Sequence, residues 1–379
     1  MNIFKKVLIL GIICTLPLVK VDAIGKKSLA TDASAGIHPD ILKAIHEANF
    51  GLRTQEARVG HTQRAVELFK KHFGKDIDVY FVLTGTAANV LGLSALLKPY
   101  QAIICPESAH INTKEVGALE NYTGSKLLTV TTADGKLTVD DIKNKLQEIN
   151  NKKPGYIELT VQPKVISITQ ATEVGTLYSP EELKKLTAFA HANGLYVHMD
   201  GYKLCNAAAS LNVTLAQITT DVGIDLLSFG GTGGGMMIGN AVIFFDKDLS
   251  KDFKYIHKQG MQSAGKSRFI AAQFTALLSN DLWLKNAQNA NNMAQFLAQE
   301  LKMIPQVKIS RAVQTNAVFA IIDPKLIPIL QERFFFYIWD KATSEVRWTT
   351  HFDTTKEEIQ DFVDFLKETI KSQSSDPSP

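Results

Sequence analysis

The chain has 379 residues, of which 45% are hydrophobic and 21% charged, and a formal net charge of +3 at pH 7. That length and apolar content suffice for a large core with a major and a minor domain, which excludes a disordered or fibrous protein. Setting aside Lys5, Lys6, Lys20 and Asp22 near the N-terminus leaves about +1 with side chains at their usual pKa values, so no basic surface is implied and no nucleic acid is expected as a partner.

The first predicted element is a leader. Lys5-Lys6 precede an apolar stretch from Val7 to Val19, and Val21-Asp22-Ala23 puts compact residues at the cleavage positions. The stretch is shorter than the ~20 apolar residues of a spanning helix. The expectation is a signal peptide over 1–23, export to the periplasm or beyond, and no membrane attachment after cleavage. Cys105 and Cys205 would then remain, both beside strand-like segments, which predicts buried thiols; export permits a disulfide, but the spacing does not require one.

A short arm over 24–39 leads into helical patterns over 40–49 and 63–73. Strand patterns then cover 79–83, 102–105, 126–130, 165–169, 196–199, 226–229 and 241–245, with helical patterns over 88–97, 140–149 and 180–193 between them. This alternation predicts an α/β large domain over 24–265, arm included, with a mostly parallel seven-stranded sheet covered by helices. A long helical region over 269–302, within a connector 266–302, leads to a small α+β C-terminal domain over 303–371. Its strands are expected at 316–322, 334–339 and 345–349, and its closing helix at 356–371. The end, 372–379, contains only Ser, Gln, Asp and Pro and reads as a disordered tail.

Several segments carry groups suited to chemistry. His198-Met199-Asp200-Gly201-Tyr202-Lys203 and Ser228-Phe229-Gly230-Gly231-Thr232-Gly233-Gly234-Gly235 each end an apolar run in polar and glycine residues, as buried strands do at the carboxyl edge of a sheet. Thr84-Gly85-Thr86-Ala87-Ala88-Asn89 joins a strand to a helix start, whose N–H groups favour phosphate, although a plain structural turn has the same composition. Asp200 suits a crevice carboxylate or a helix N-cap. His110, in Glu107-Ser108-Ala109-His110-Ile111-Asn112, suits either a structural or a functional imidazole.

In their order, from about Asp32 to Phe365, these motifs resemble the threonine aldolase and aromatic amino acid beta-eliminating lyase family, pyridoxal phosphate enzymes with the fold of aspartate aminotransferase (fold type I). The resemblance implies a carbon–carbon lyase that cleaves a β-hydroxy-α-amino acid to glycine and an aldehyde. It implies that Gly85 and Thr86 hold the cofactor phosphate, that His110 stacks on the pyridine ring and serves catalysis, and that Asp200 keeps the ring nitrogen protonated, making the ring an electron sink. Lys203 would sit at the cofactor, and Lys266 and Arg268 would reach phosphate from a neighbouring subunit. Gln170 would line the substrate side, and Arg347 would fork onto the substrate carboxylate. A small amino acid ligand, a homodimer or homotetramer, and no metal complete the expectation.

The chain departs from that family at one site. Where the family reads Gly-Gly-Thr-Lys-Asn-Gly, with the Lys forming the Schiff base, this chain has Gly233, and Gly234 follows in place of Asn. Glu56-Ala57 replaces a Tyr-Gly pair, Ala33 replaces an Asn, and Lys203 replaces an Arg whose planar fork a single amine does not reproduce. From the sequence these changes favour an exported pseudoenzyme that keeps a pyridoxal phosphate or amino-acid pocket. The alternatives are an active lyase with Lys203 as substitute amine and an extracellular interaction protein on the same scaffold.

Overall fold

Seven strands form the large sheet: β1 (Asp78–Val82), β2 (Gln101–Pro106), β3 (Lys126–Val130), β4 (Gln162–Thr169), β5 (Tyr196–Gly201), β6 (Leu226–Gly230) and β7 (Asn240–Phe244). Their spatial order is β1-β7-β6-β5-β4-β2-β3, with β7 antiparallel to both neighbours and every other pairing parallel. The structure is a computed structural model that describes residues 27–50, 55–151 and 157–374; the predicted leader and 375–379 lie outside them.

The strands read as nearly unbroken apolar runs because both faces are covered. On one face Phe69 meets Phe274 and Phe229 edge-on, with ring centroids 5.0 and 5.8 Å apart. On the other face Val82, Leu91, Ile103, Phe244 and Phe253 form a separate buried cluster. At the carboxyl edge, Asp200 lies in register with Thr169 of β4 and Ser228 of β6. Gly230 is needed there, since a Cβ on it would stand 2.9 Å from the Cα of Tyr202.

The helical region expected over 269–302 is two helices, Arg268–Leu277 and Leu282–Leu301. Asn280 and Asp281 break it, both with positive φ (54° and 56°), a conformation that Asn and Asp tolerate better than most residues. The second helix joins the two domains: Leu282, Trp283 and Ala287 pack in the large core, and Met293, Ala294, Leu297 and Leu301 in the small one.

The small domain has a four-stranded antiparallel sheet of β8 (Lys308–Ile309), β9 (Ala317–Ile321), β10 (Tyr337–Asp340) and β11 (Glu345–Thr349), in the order β10-β11-β9-β8. The strand expected over 334–339 is divided. Phe334–Phe335 turns away and pairs in parallel with Lys27–Ser28 of the arm. The first described residues of the arm, which was grouped with the large domain on chain order, hang on the small one: Leu29 N–H donates to Phe335 O (2.7 Å), Thr349 N–H donates to Leu29 O (2.7 Å), and the Leu29 side chain enters the small core, whereas Ile37 packs on the large core. The closing helix Lys356–Ser374 outruns its expected end, so residues 372–374 of the predicted tail are helical.

Candidate active site

The site lies where β4 and β5 and the helix Gly85–Ser94 converge. Thr84 caps that helix, its hydroxyl accepting from Ala87 N–H at 3.1 Å, so the half-buried Gly85 and Thr86 begin the first turn with free N–H groups. One turn further in, the buried Asn89 Nδ2 donates to Asp200 Oδ2 and to Glu115 Oε1, each at 2.9 Å. Tyr202 N–H donates to Asp200 Oδ1 at 3.1 Å. Glu115 Oε1 also pairs with His110 Nδ1 at 2.9 Å, and His110 N–H donates to Glu173 Oε1 at 2.8 Å. Thr169 completes the set, its hydroxyl donating to the same Glu173 oxygen at 2.8 Å.

Burial and these partners set the protonation of the site. Burial pushes the Asp200 carboxyl above its usual range, against the stabilising Asn89 bond and the nearby His110. The Glu115 hydrogen bond raises His110, with burial opposing and Asp200 adding to the rise. Burial pushes Glu173 up to about 7. Asn89 Oδ1, Glu115 Oε2 and Glu173 Oε2 are buried without a hydrogen-bond partner.

A second cluster adjoins the first. Lys203 Nζ donates to Asn316 Oδ1 at 2.9 Å and lies 3.4 Å from Asp32 Oδ2. Asn316 Nδ2 donates to Thr350 O at 2.8 Å and reaches Asp32 Oδ2 at 3.4 Å. Burial pushes Asp32 up, but Lys203, Asn316 and His351 together hold it below the usual carboxylate range; burial lowers Lys203, with Asp32 opposing. Gly233 faces this cluster: a Cβ on it would stand 3.1 Å from Asp32 Oδ2 and 3.7 Å from Tyr202 Cε1. Arg347 on β11 donates through Nη2 to Ala30 O (3.2 Å), its guanidinium lies 5.1 Å from the centre of the Trp339 ring, and its Nε is buried without a partner.

The structure thus joins His110 and Asp200 through Asn89 and Glu115, one helical turn from Gly85 and Thr86, and puts Lys203 in the adjoining cluster with Asp32 and Asn316, while Arg347 lies beside the arm residue Ala30. Gln170, expected on the substrate side, is instead fully buried, and both ends of its amide bind the backbone of Tyr178 (2.8 and 3.0 Å). Arg268 is engaged within the chain by Ala48 O (3.1 Å) and the ring of Phe269, while Lys266 is exposed. The side chains of Glu56 and Ala57 fall outside the described residues. Cys105 and Cys205 are buried free thiols, pushed up to about 12 by burial. No role was assigned from the sequence to Asn89, Glu115, Glu173 or Asn316. For Asn89 a signal existed, since it lies one helical turn beyond Gly85-Thr86. Among the described residues, no group of three His, Cys, Asp or Glu side chains could hold a metal ion.

A family model described as beta-eliminating lyase matches residues 28–324. The chain belongs to the beta-eliminating lyase family. Within it, the chain is 39% identical over 339 residues to the low specificity L-threonine aldolase of Pseudomonas aeruginosa, covering 88% of this chain and 95% of that protein. The low specificity L-threonine aldolase of Saccharomyces cerevisiae is 27% identical over 74% of this chain and 70% of its own. Among solved structures, a Leishmania major threonine aldolase superposes with a TM-score of 0.83 at 30% identity, covering 91% of this chain and 99% of that one. A putative L-allo-threonine aldolase from Listeria monocytogenes (TM-score 0.66, 17% identity, 90% and 96% covered) shares the fold.

Enzymes of the beta-eliminating lyase family depend on pyridoxal phosphate. The residues present fit its noncovalent contacts: a helix start for phosphate, a buried carboxylate for the ring nitrogen, and a half-exposed imidazole for the ring face. They do not fit a covalent attachment at position 233, because glycine has no amine.

Proposed function

We infer that the chain is a lyase of the threonine aldolase type, holding pyridoxal phosphate in the crevice at Asp200 and cleaving a β-hydroxy-α-amino acid to glycine and an aldehyde. The observation that carries this reading is the bonded set Asp200, Asn89, Glu115 and His110 beside the helix start at Gly85 and Thr86. When bound, the cofactor supplies an electron sink for the carbanion left at the α-carbon. Asp200 would hold a proton at the ring nitrogen, His110 would lie on the ring face, and Arg347 would orient the substrate through its carboxylate. The departures at Gly233 and Lys203 had favoured the pseudoenzyme. Relatives named threonine aldolases that match nearly the whole chain support the lyase more strongly. Lys203, which like Gly233 faces Asp32 Oδ2, is the candidate substitute for the missing lysine.

A second reading, a pocket without turnover, is favoured by one observation: Asp32 and Asn316 both engage the Lys203 ammonium. One experiment separates the two. The purified protein is incubated with pyridoxal phosphate and L-threonine, glycine and acetaldehyde are measured, and borohydride reduction with peptide mapping follows. Product together with an adduct on the Lys203 peptide supports the lyase; reversible binding with neither leaves the pocket reading. Export and a homo-oligomeric state are proposed alongside, to be checked by cell fractionation with N-terminal sequencing and by light scattering.

A further inference from the structure

The imidazole of His110 is 46% exposed, while the carboxylate beneath it, Glu115, is wholly buried. A single oxygen of Glu115, Oε1, receives both His110 Nδ1 and Asn89 Nδ2 at 2.9 Å, and the same Asn89 nitrogen reaches Asp200 Oδ2 at 2.9 Å. Asn89 has two N–H bonds on that nitrogen, so both contacts are satisfied without competition. Three side chains that share no strand or helix are thereby linked in one line: His110 at the start of a short helix, Asn89 within Gly85–Ser94, and Asp200 on β5.

We propose that Glu115 is the positioning residue of the cofactor site, fixing the His110 ring and tying it through Asn89 to the Asp200 carboxylate. With Nδ1–H donated to Glu115, the imidazole cannot rotate about its attachment without losing a bond to a buried charge, and Nε2 is left as the ring position free to meet solvent or ligand. The charged groups facing His110 are all carboxylates: Glu115 from its own segment, Asp200 from β5, and Glu173 from the turn after β4. Glu115 is the one of the three that bonds to the ring, so its removal takes away a hydrogen bond as well as a charge. The inference rests on the reading that Asp200 and His110 flank the cofactor ring, but its direct test does not require cofactor.

The test is an NMR titration of histidine ring signals in the cofactor-free protein, with His110 assigned by loss of its signal in His110→Asn. In Glu115→Gln the His110 midpoint moves to lower pH and the ring signal broadens or splits as the orientation is released. In Glu115→Asp, which keeps the charge but shortens the side chain by one methylene, the midpoint moves the same way by less. An unchanged midpoint in Glu115→Gln overturns the proposal; should that variant fail to fold, an unchanged midpoint in Glu115→Asp does so. An absorbance titration with pyridoxal phosphate checks the underlying reading separately. If the parent binds, Glu115→Gln should weaken binding about tenfold or more, the scale of a lost hydrogen bond to a charged group. If the parent does not bind, the cofactor reading fails while the titration still decides the role of Glu115.

Discussion

The carboxylate of Asp32 lies 3.1 Å from the point where a Cβ on Gly233 would stand, although 201 positions of chain separate the two residues. The arm brings Asp32 there by pairing with the small domain, and the turn after β6 brings Gly233. Position 233 therefore faces a fixed acceptor and a charge. In Gly233→Lys, Asp32 must yield a few tenths of an ångström, and the new ammonium gains a carboxylate neighbour. The expected outcome is a strong near-visible band on adding pyridoxal phosphate and a borohydride-stable adduct on the peptide carrying position 233. A colourless variant would mean that the noncovalent part of the pocket is not preserved.

Lys203 and Asp32 form a largely buried pair, with side chains 19% and 4% exposed. Removing the cation in Lys203→Met leaves the carboxylate with its long contacts to Asn316 and Thr31 and the neighbouring Tyr202 hydroxyl, and no cation bonded to it. A loss of about 2–4 kcal/mol in unfolding free energy is expected, because an uncompensated buried charge is costly. Urea denaturation at pH 7 measures it. The double variant Lys203→Met with Asp32→Asn should recover much of the loss; a double variant as unstable as the single would show that packing, not charge, is at stake.

Glu173 gives the protein a stability that declines with rising pH. Burial pushes its carboxyl up to about 7 in the folded chain from the ordinary value of 4.5 that it has when unfolded, so between those pH values the folded chain binds more protons. The contribution is complete below 4.5 and is lost as pH rises through 7. Glu173→Gln should remove this decline, which reaches roughly 3.5 kcal/mol by pH 8 at about 1.4 kcal/mol per pKa unit. Denaturation curves from pH 4.5 to 8 check the slope, and parallel curves for parent and variant would refute the assignment.

His198 acts in the opposite sense. It is fully buried between Ser167 (2.9 Å) and Ser228 (3.0 Å), and burial lowers its pKa from 6.5 to about 3. Above 6.5 both states are neutral; below it the unfolded chain takes a proton that the folded one does not. Stability is therefore lost as pH falls from 6.5 towards 3. His198→Gln, which can still bond to one of the two serines, should show a shallower acid limb in the same denaturation series, whatever its stability at neutral pH.

The cofactor contact at Asp200 is tested by Asp200→Asn, which keeps the shape but cannot hold a proton against a ring nitrogen. At pH 7 its affinity for pyridoxal phosphate should fall about tenfold or more while the fold is retained. Equal affinity in parent and variant would place the ring nitrogen elsewhere.

Much of this protein is determined by local sequence. The alternation of apolar runs with helical patterns was enough for the seven-stranded sheet, since a buried parallel strand must be apolar on both faces and a crossover must be a helix. The abrupt polar ends of those runs marked Asp200, and the Gly-Thr turn marked the helix start, because both signals lie within a few residues of the group they position. Family membership followed from the order of such motifs. Tertiary structure alone decided what depends on segments far apart in the chain. It carried Asp32 and Asn316 from the arm and the small domain to Lys203, buried Gln170 against Tyr178, and divided 334–339 so that Phe334–Phe335 could hold the arm. It also joined Asn89, Glu115 and His110 beneath Asp200, since a hydrogen bond between buried side chains on separate elements leaves no periodic trace in the sequence.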